Sequence, residues 1–341
     1  MRIPVVDRRG VALMPCTPPK ARMLLKEGKA RPKRNKLGLF YLQLTYEQES
    51  NNQPLVIGID PGAKFEGYSV VGSKETVLNL MAEAPTHVKE AVQTRRTMRR
   101  ARRSRKWRRP ARFTNRLKRS PRLPPSTRSR WEAKARIVAQ LKKQLPLTVV
   151  VLEDVQATTR PGIGRKWNQS FSPLQVGKLH LYRLLTNMGL HVELREGWQT
   201  AKLREQYGLK KVKAKDRQVF ESHCVDAWAL AASVSGAEQP TCTRLWYSVS
   251  IVLHRRQLHR LRPSKGGERK PYGGTRSMGL KRSTVVCHPT YGLCSIGGCD
   301  CKRSTVSLHD YRTNTRLTQA AKPTVCQVLT STLWRSWLVR E

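Results

Sequence analysis

The sequence predicts a mixed α/β fold in which a core of buried strands is divided by a long arginine-rich helix. A small unit precedes this core and a basic, β-rich domain follows it. Three observations carry the prediction. Two apolar runs, Leu55, Val56, Ile57, Gly58, Ile59 and Leu147, Thr148, Val149, Val150, Val151, Leu152, each end in carboxylates. Residues 91–131 between them hold seventeen Lys and Arg and no Asp or Glu. Beyond about residue 241 the texture turns to short strands and Gly-containing turns, with only Glu268, Asp300, Asp310 and Glu341 as acids.

A formal charge of +43 on 341 residues is far more than solubility requires, and such a chain repels itself unless a polyanion neutralises it. Each phosphate contact releases counterions, so this much charge implies an extended nucleic-acid footprint. Charge alone suits a ribosomal-type or chromatin-type protein equally well. No run of about 18 apolar residues occurs, and the start Met1, Arg2, Ile3, Pro4 lacks an apolar signal core, so the expectation is a cytoplasmic protein with no membrane partner. Cys16, Cys224, Cys242 and Cys326 are scattered and read as reduced thiols. Cys287, Cys294, Cys299 and Cys301 lie closer together, but their spacing matches no two-knuckle zinc pattern. A phosphate-loop ATPase is excluded, because Gly274 to Lys281 has Gly279-Leu280-Lys281 where Gly-Lys-Ser/Thr is needed.

The elements follow in order. Residues 1–50 read as a separate unit: a strand at Val5 and Val6, a basic turn, Ala12 to Pro15, a helix from Pro18 through Lys29, and a strand from Leu39 to Leu44. Residues 55–60 form a strand buried on both faces with Asp60 at its carboxyl end, stopped by Pro61 and Gly62. Tyr68 to Val71 and Thr76 to Met81 complete an antiparallel meander. The arginine-rich segment lacks strand signals and forms a helix that is cationic all round, stable only against phosphate. Trp107 and Trp131 either stack on bases or pack at its ends. A helix from about Trp131 to Gln144 leads into the second buried strand, which ends in Glu153 and Asp154. Helices are expected at 174–188, stopped by Gly189, and at 216–234, where His223 and Asp226 interrupt an apolar pattern.

Hydrolysis of a phosphodiester by two metals needs converging carboxylates that hold hard cations about 3.5–4 Å apart. Asp60, Glu153 and Asp226 suit that need, because ligands of open α/β sheets gather where strand ends release side chains from the core. His223, three residues before Asp226, shares its helix face and is placed to take a proton from the attacking water. Singly these residues are ordinary. Asp-Pro-Gly is a turn, Glu153-Asp154 a solvated strand end, and His-x-x-Asp a surface pair. Their joint order, acid after strand, acid after second strand, acid on an apolar helix, describes a ribonuclease H-like nuclease core.

These residues also carry a family resemblance. Ile57 to Gly62 (IGIDPG), Val150 to Val155 (VVLEDV) and His223 to Ala227 (HCVDA) resemble the three split motifs of a RuvC nuclease. The arginine-rich stretch resembles the bridge helix of CRISPR type II effectors, and Ala12, Leu13, Met14, Pro15 is similar to the PLMP motif of the transposon-encoded IscB and IsrB proteins. Residues 157–220 offer only His180 and His191 and no room for an HNH nuclease, so the chain looks like IsrB.

The resemblance implies an RNase H-like (RuvC) core made of residues 51–90, 132–200 and 201–240. It also implies a bridge helix over 91–131, a PLMP-type unit over 1–50 and a domain over 241–341 that reads a target-adjacent motif. It further implies a monomeric protein carrying a guide (omega) RNA, which pairs with target DNA while the displaced non-target strand is nicked. Asp60, Glu153 and Asp226 would hold two Mg2+ ions, for which Mn2+ can substitute, and His223 would assist the water. Arg95, Arg96, Arg99, Arg100, Arg102, Arg103, Arg105, Arg108 and Arg109 would grip nucleic acid. Two other readings compete: a protein-only resolvase that cuts branched DNA as a symmetric dimer, and a guided DNA-binding protein without catalysis.

Overall fold

Strands whose side chains are aliphatic on both faces belong in the middle of a covered sheet, and the two apolar runs take that place. The structure, a computed structural model, describes residues 1–105, 123–156, 172–251, 259–262, 268–271, 276–332 and 334–339. The first 44 residues form strands β1 (Ile3–Val6), β2 (Ala12–Cys16), β3 (Ala30–Arg34) and β4 (Phe40–Leu44), with helix α1 (Pro18–Lys26) after β2. Their sheet has the order β2-β1-β4-β3. Helix α1 opens with Pro at its first positions and with the Thr17 hydroxyl accepting from the Lys20 amide, as helix starts require.

The central meander is β5 (Leu55–Asp60), β6 (Phe65–Val71) and β7 (Thr76–Glu83). Helix α2 (His87–Arg105) and helix α3 (Pro125–Lys142) lead to β8 (Leu147–Glu153), and α4 (Pro173–Thr186) leads to β9 (His191–Arg195). Helix α5 (Gly197–Gln206) follows, then one π-helical turn over Phe220–Cys224 that runs directly into α6 (Val225–Ser235). Strand β10 (Trp246–Ser250) comes next.

The C-terminal part begins with two short antiparallel pairs, β11 (His259–Arg262) with β12 (Glu268–Pro271) and β13 (Arg276–Ser277) with β14 (Leu280–Lys281). It continues with β15 (Thr284–His288), β16 (Gly292–Asp300), β17 (Thr305–Asp310), β18 (Arg316–Ala321), β19 (Gln327–Ser331) and β20 (Trp334–Leu338). Strands β15 to β19 form their own antiparallel sheet, in the order β18-β17-β16-β15-β19, over a small core that includes Val286, Ile296, Val306 and Leu308.

The large sheet has the order β20-β10-β7-β6-β5-β8-β9. Within it β6 runs antiparallel to both β5 and β7, while β8 and β9 run parallel to β5. The five strands β7-β6-β5-β8-β9 have the RNase H-like order and polarity. Strands β10 and β20 extend that sheet, although the sequence reads them with the C-terminal texture. Leu37 and Leu39, from the N-terminal part, likewise bury in the central core. There the Thr332 hydroxyl donates to the Lys36 carbonyl and the Ser336 hydroxyl to the Leu37 carbonyl, 2.6 Å in the latter case.

Side-chain alternation divides the core into two layers. Ile57, Ile59, Val150 and Leu152 pack under α3 and α4, with Ile137, Leu141, Leu181 and Leu185. Val56 and Val151 face the opposite layer, built on Trp228, Leu230 and Ala231 of α6. In the first layer Trp131 is buried, and a methyl group at Gly177 would lie 2.0 Å from its indole nitrogen. Trp131 is therefore a packing residue; Trp107 lies outside the described residues. The helix expected from about Trp131 begins at Pro125, because Pro at its first positions sets the start.

The helix expected over 216–234 begins only at Phe220, and its first turn is π-helical. It is seated closely on the sheet. A methyl group at Gly58 would lie 1.8 Å from the Ala227 carbonyl oxygen, and one at Gly67 would lie 2.1 Å from that of His223. The chain from 223 to 231 thus rests directly on strand backbone, at two points where no side chain intervenes. Gly58→Ala should destabilise the protein by about 3 kcal/mol or more, since the obstacle is backbone that cannot rotate away. Thermal unfolding by circular dichroism checks this.

Candidate nuclease site

Asp60 and Glu153 end neighbouring parallel strands whose register pairs Ile59 with Leu152, so the two acids leave the sheet side by side. Asp60 shares the face of Gly58, and Glu153 that of Val151, so both point toward α6. Asp226 lies in the first turn of α6 and is 2% exposed. The fold therefore gathers the three predicted carboxylates in one place. The spacing of His223 and Asp226 crosses the junction between the π turn and α6, so they do not share one face of a regular helix.

Adjacent Asp154 is not a solvated partner of Glu153. Its carboxylate accepts from Tyr182 at 2.9 Å and pairs with the buried ammonium of Lys178, both on α4. Consecutive strand residues face opposite ways, so this anchor on one layer directs Glu153 into the other.

His223 is buried, with Nδ1 2.9 Å from Asp60 Oδ2 and Nε2 3.1 Å from the Lys215 carbonyl. Both partners are acceptors, so each contact forms when the facing ring nitrogen carries a proton. Asp226 is held from both sides: Arg204 Nη1 lies 2.6 Å from Oδ1, and Lys211 pairs with Oδ2. As folded, no group of three or more His, Cys, Asp or Glu side chains among the described residues is arranged to hold a metal ion. Two protein cations take up the Asp226 carboxylate instead.

The electrostatics still show crowded negative charge. Burial first, then the charges of Asp60 and Asp226, push the Glu153 carboxyl up to about 7, against the smaller opposing effects of Lys211 and Arg204. Burial pulls the Lys211 ammonium down, but the Asp226 hydrogen bond and the charges of Asp60 and Glu153 outweigh it and leave a net rise. A donor set of three carboxylates and an imidazole, without thiolate, suits a hard divalent cation once Lys211 gives way. Cys224 adds no nucleophile, since burial pushes its thiol up to about 12.

Sequence reasoning missed Arg204, Lys211 and the seats at Gly58, Gly67 and Gly197, the last of which would carry a methyl group only 3.0 Å from Glu153 Oε1. One signal was present: residues 210–217 carry Lys210, Lys211, Lys213, Lys215 and Arg217 directly before the third acidic motif. Of the expected nucleic-acid contacts, Arg95, Arg96, Arg99 and Arg100 are exposed on α2. Arg102, Arg103 and Arg105 continue that helix, with side chains outside the description; Arg108 and Arg109 lie outside the described residues. No described helix is long and apolar enough to cross a membrane.

Residues 3–164 match the model of the family described as RRXRR protein. That span is just under half of the chain and takes in Asp60, Glu153 and the arginine-rich segment. Among curated proteins nothing matches. Among solved structures the chain is similar to T. thermophilus RuvC in complex with Holliday junction substrate, at 16% identity, over 52% of this chain and 90% of that chain, with a TM-score of 0.30. This likeness is slight, and the strand order and register define the fold here.

Because folded Glu153 keeps a proton that the unfolded chain releases above its usual 4.5, its contribution to stability is fully present below pH 4.5 and is lost as pH rises through about 7. Glu153→Gln should flatten that decline in EDTA, as read by thermal unfolding across this window. Adding Mg2+ at pH 7 should raise the melting temperature of the parent protein and not that of the variant.

Proposed function

We propose that this protein is a divalent-metal-dependent endonuclease of the RuvC type that nicks DNA under the guidance of a bound RNA, in the manner of the IsrB proteins. The observation that carries the reading is the convergence of Asp60, Glu153 and Asp226 at one end of an RNase H-like sheet. An exposed arginine helix, placed between the first two acids in sequence, joins that centre to a polyanion grip.

In this reading Asp60, Glu153 and Asp226 would hold Mg2+, with Mn2+ able to substitute. Bound there, a divalent cation would supply Lewis-acid activation of water and stabilisation of the leaving oxygen. Asp226 becomes available when Lys211 leaves it. His223 holds Asp60 through Nδ1, and opening of its contact with the Lys215 carbonyl frees Nε2 to take the proton of the attacking water. A single such centre cuts one strand per encounter, so the product is a nick. Base pairing selects the target, while the protein reads heteroduplex shape and a short flanking motif, the latter through the basic C-terminal domain. The arginines of α2 bind phosphate and carry no sequence preference.

The test is to purify the protein from cells transcribing its neighbouring locus, sequence the bound RNA, and add Mg2+ and a supercoiled plasmid bearing the match. RNA-dependent open-circle product is expected. Cleavage without RNA points to a resolvase, and bound RNA without cleavage to a guided binder. Asp60→Ala should abolish open-circle product and leave RNA affinity unchanged, because it removes no phosphate contact. Arg96→Ala, Arg99→Ala and Arg100→Ala together should weaken RNA binding and reduce the magnitude of its log-log salt slope by about 2, at roughly 0.7 per single-strand phosphate. An unchanged slope would place these side chains away from RNA.

A further inference from the structure

Helix α5 spans the acid centre. At its start Gly197 lies against Glu153, where a methyl group would come within 3.0 Å of Oε1, and two residues before its end Arg204 donates to Asp226 at 2.6 Å. Immediately after Gly197 stands Trp198, 63% exposed, the most exposed large apolar side chain among the described residues. Its Cα is one peptide step, about 3.8 Å, from that of the residue touching Glu153.

An indole left in water needs a reason, because Trp is among the most favourable side chains to bury. Trp198 is nonetheless held in place: its Nε1–H donates to Glu196 Oε2 at 2.5 Å, and Glu196 is fixed by the capping box it makes with Gln199. A ring pinned along one edge with its faces open is a stacking platform that has already lost its rotamer freedom. Phe65, 6.1 Å from the His223 ring and with the Lys64 ammonium 5.5 Å from its own ring centre, is already engaged from within the protein. Trp198 is open. Its helix leads into the basic run from Lys210 to Arg217, which supplies charge complementary to a phosphate backbone.

We infer that Trp198 stacks on a base of the single DNA strand to be cut and so sets which phosphodiester enters the acid centre. The inference rests on the nuclease reading for its location, yet stacking itself can be measured without cleavage. Every base has a π face, so this contact supplies grip and register without sequence preference, as a displaced strand of arbitrary sequence requires. Trp198 is accordingly a positioning residue. Its indole hydrogen bond goes to Glu196, outside the acid centre.

The test uses the full-length protein in EDTA with a fluorescent single-stranded DNA about a dozen nucleotides long, bearing one 5-iodouracil for photocrosslinking. The expected results are a cross-link on the peptide containing Trp198 and an affinity about 5- to 150-fold lower in Trp198→Ala, corresponding to 1–3 kcal/mol per stacked base. Trp198→Phe should restore most of the binding, and the salt slope should not change, since no phosphate contact is lost. An abasic nucleotide at the cross-linked position should weaken the parent protein and not Trp198→Ala, which keeps the question answerable even where a variant folds poorly. With Mg2+ and the guided target, Trp198→Ala should spread the nick over neighbouring positions. Equal affinity of the parent protein for intact and abasic DNA would overturn the inference. If stacking is present but no variant or parent cuts DNA, the nuclease reading fails and the platform stands.

Discussion

The centre depends on how closely α6 approaches the sheet. With no Cβ at Gly58 or Gly67, the backbone of residues 223–231 lies directly on β5 and β6, and this contact brings Asp226 and His223 to the level at which Asp60 and Glu153 leave the core. Any larger residue at these two positions lifts the helix by the width of a side chain and separates the acids. The opposite layer resists the same displacement. Lys134 on α3 is buried against Glu66 on β6 at 2.5 Å, and Glu66 also accepts from Tyr68. Removing one partner of such a pair leaves an uncompensated charge in a dry core, at a cost of about 3–5 kcal/mol. The meander strand β6 is therefore clamped by charge on one side and by backbone contact on the other.

The carboxylates are also kept from one another. Three acids confined within a covered fold repel, as the raised Glu153 shows, and Lys211 and Arg204 relieve that repulsion through Asp226. In the nuclease reading proposed above, a divalent cation would have to displace the Lys211 ammonium from that carboxylate. In a chain of net charge +43, loose cations are abundant, yet these two are held by position in the 204–211 segment. The helix that carries Arg204 also carries the exposed indole at 198, so the open aromatic face and the counter-ions of Asp226 lie on one stretch of chain.

The parts of this fold that were legible in the sequence are those whose environment is extreme. Strands 55–60 and 147–153 are unbroken aliphatic runs because both faces are covered, and their terminal acids stand out against them. Strand Ala30–Arg34 was not legible: three of its five residues are exposed, and it is a strand only through pairing with β4. Trp246–Ser250 looks like any short C-terminal strand, and nothing local shows that it pairs with β7 and β20. The three site carboxylates were legible because only 23 acids exist; Arg204 and Lys211 were not, because 66 Lys and Arg give no contrast. The π turn at 220–224 was hidden as well, since the backbone contacts that seat this part of the chain are made to glycines on distant strands.

The clasp of Thr332 and Ser336 on residues 36–37 links positions 296 and 299 apart in the chain. Synthesis proceeds at roughly 5–20 residues per second, so Lys36 waits roughly 15–60 s for Thr332 to emerge. From the time β10 emerges until β20 follows, β10 is an open edge, with backbone donors and acceptors that no strand yet covers. The arginine-rich segment, residues 91–131, is by then already synthesised. A stretch with seventeen Lys and Arg and no acid therefore stands complete and unneutralised well before the sheet that flanks it can close.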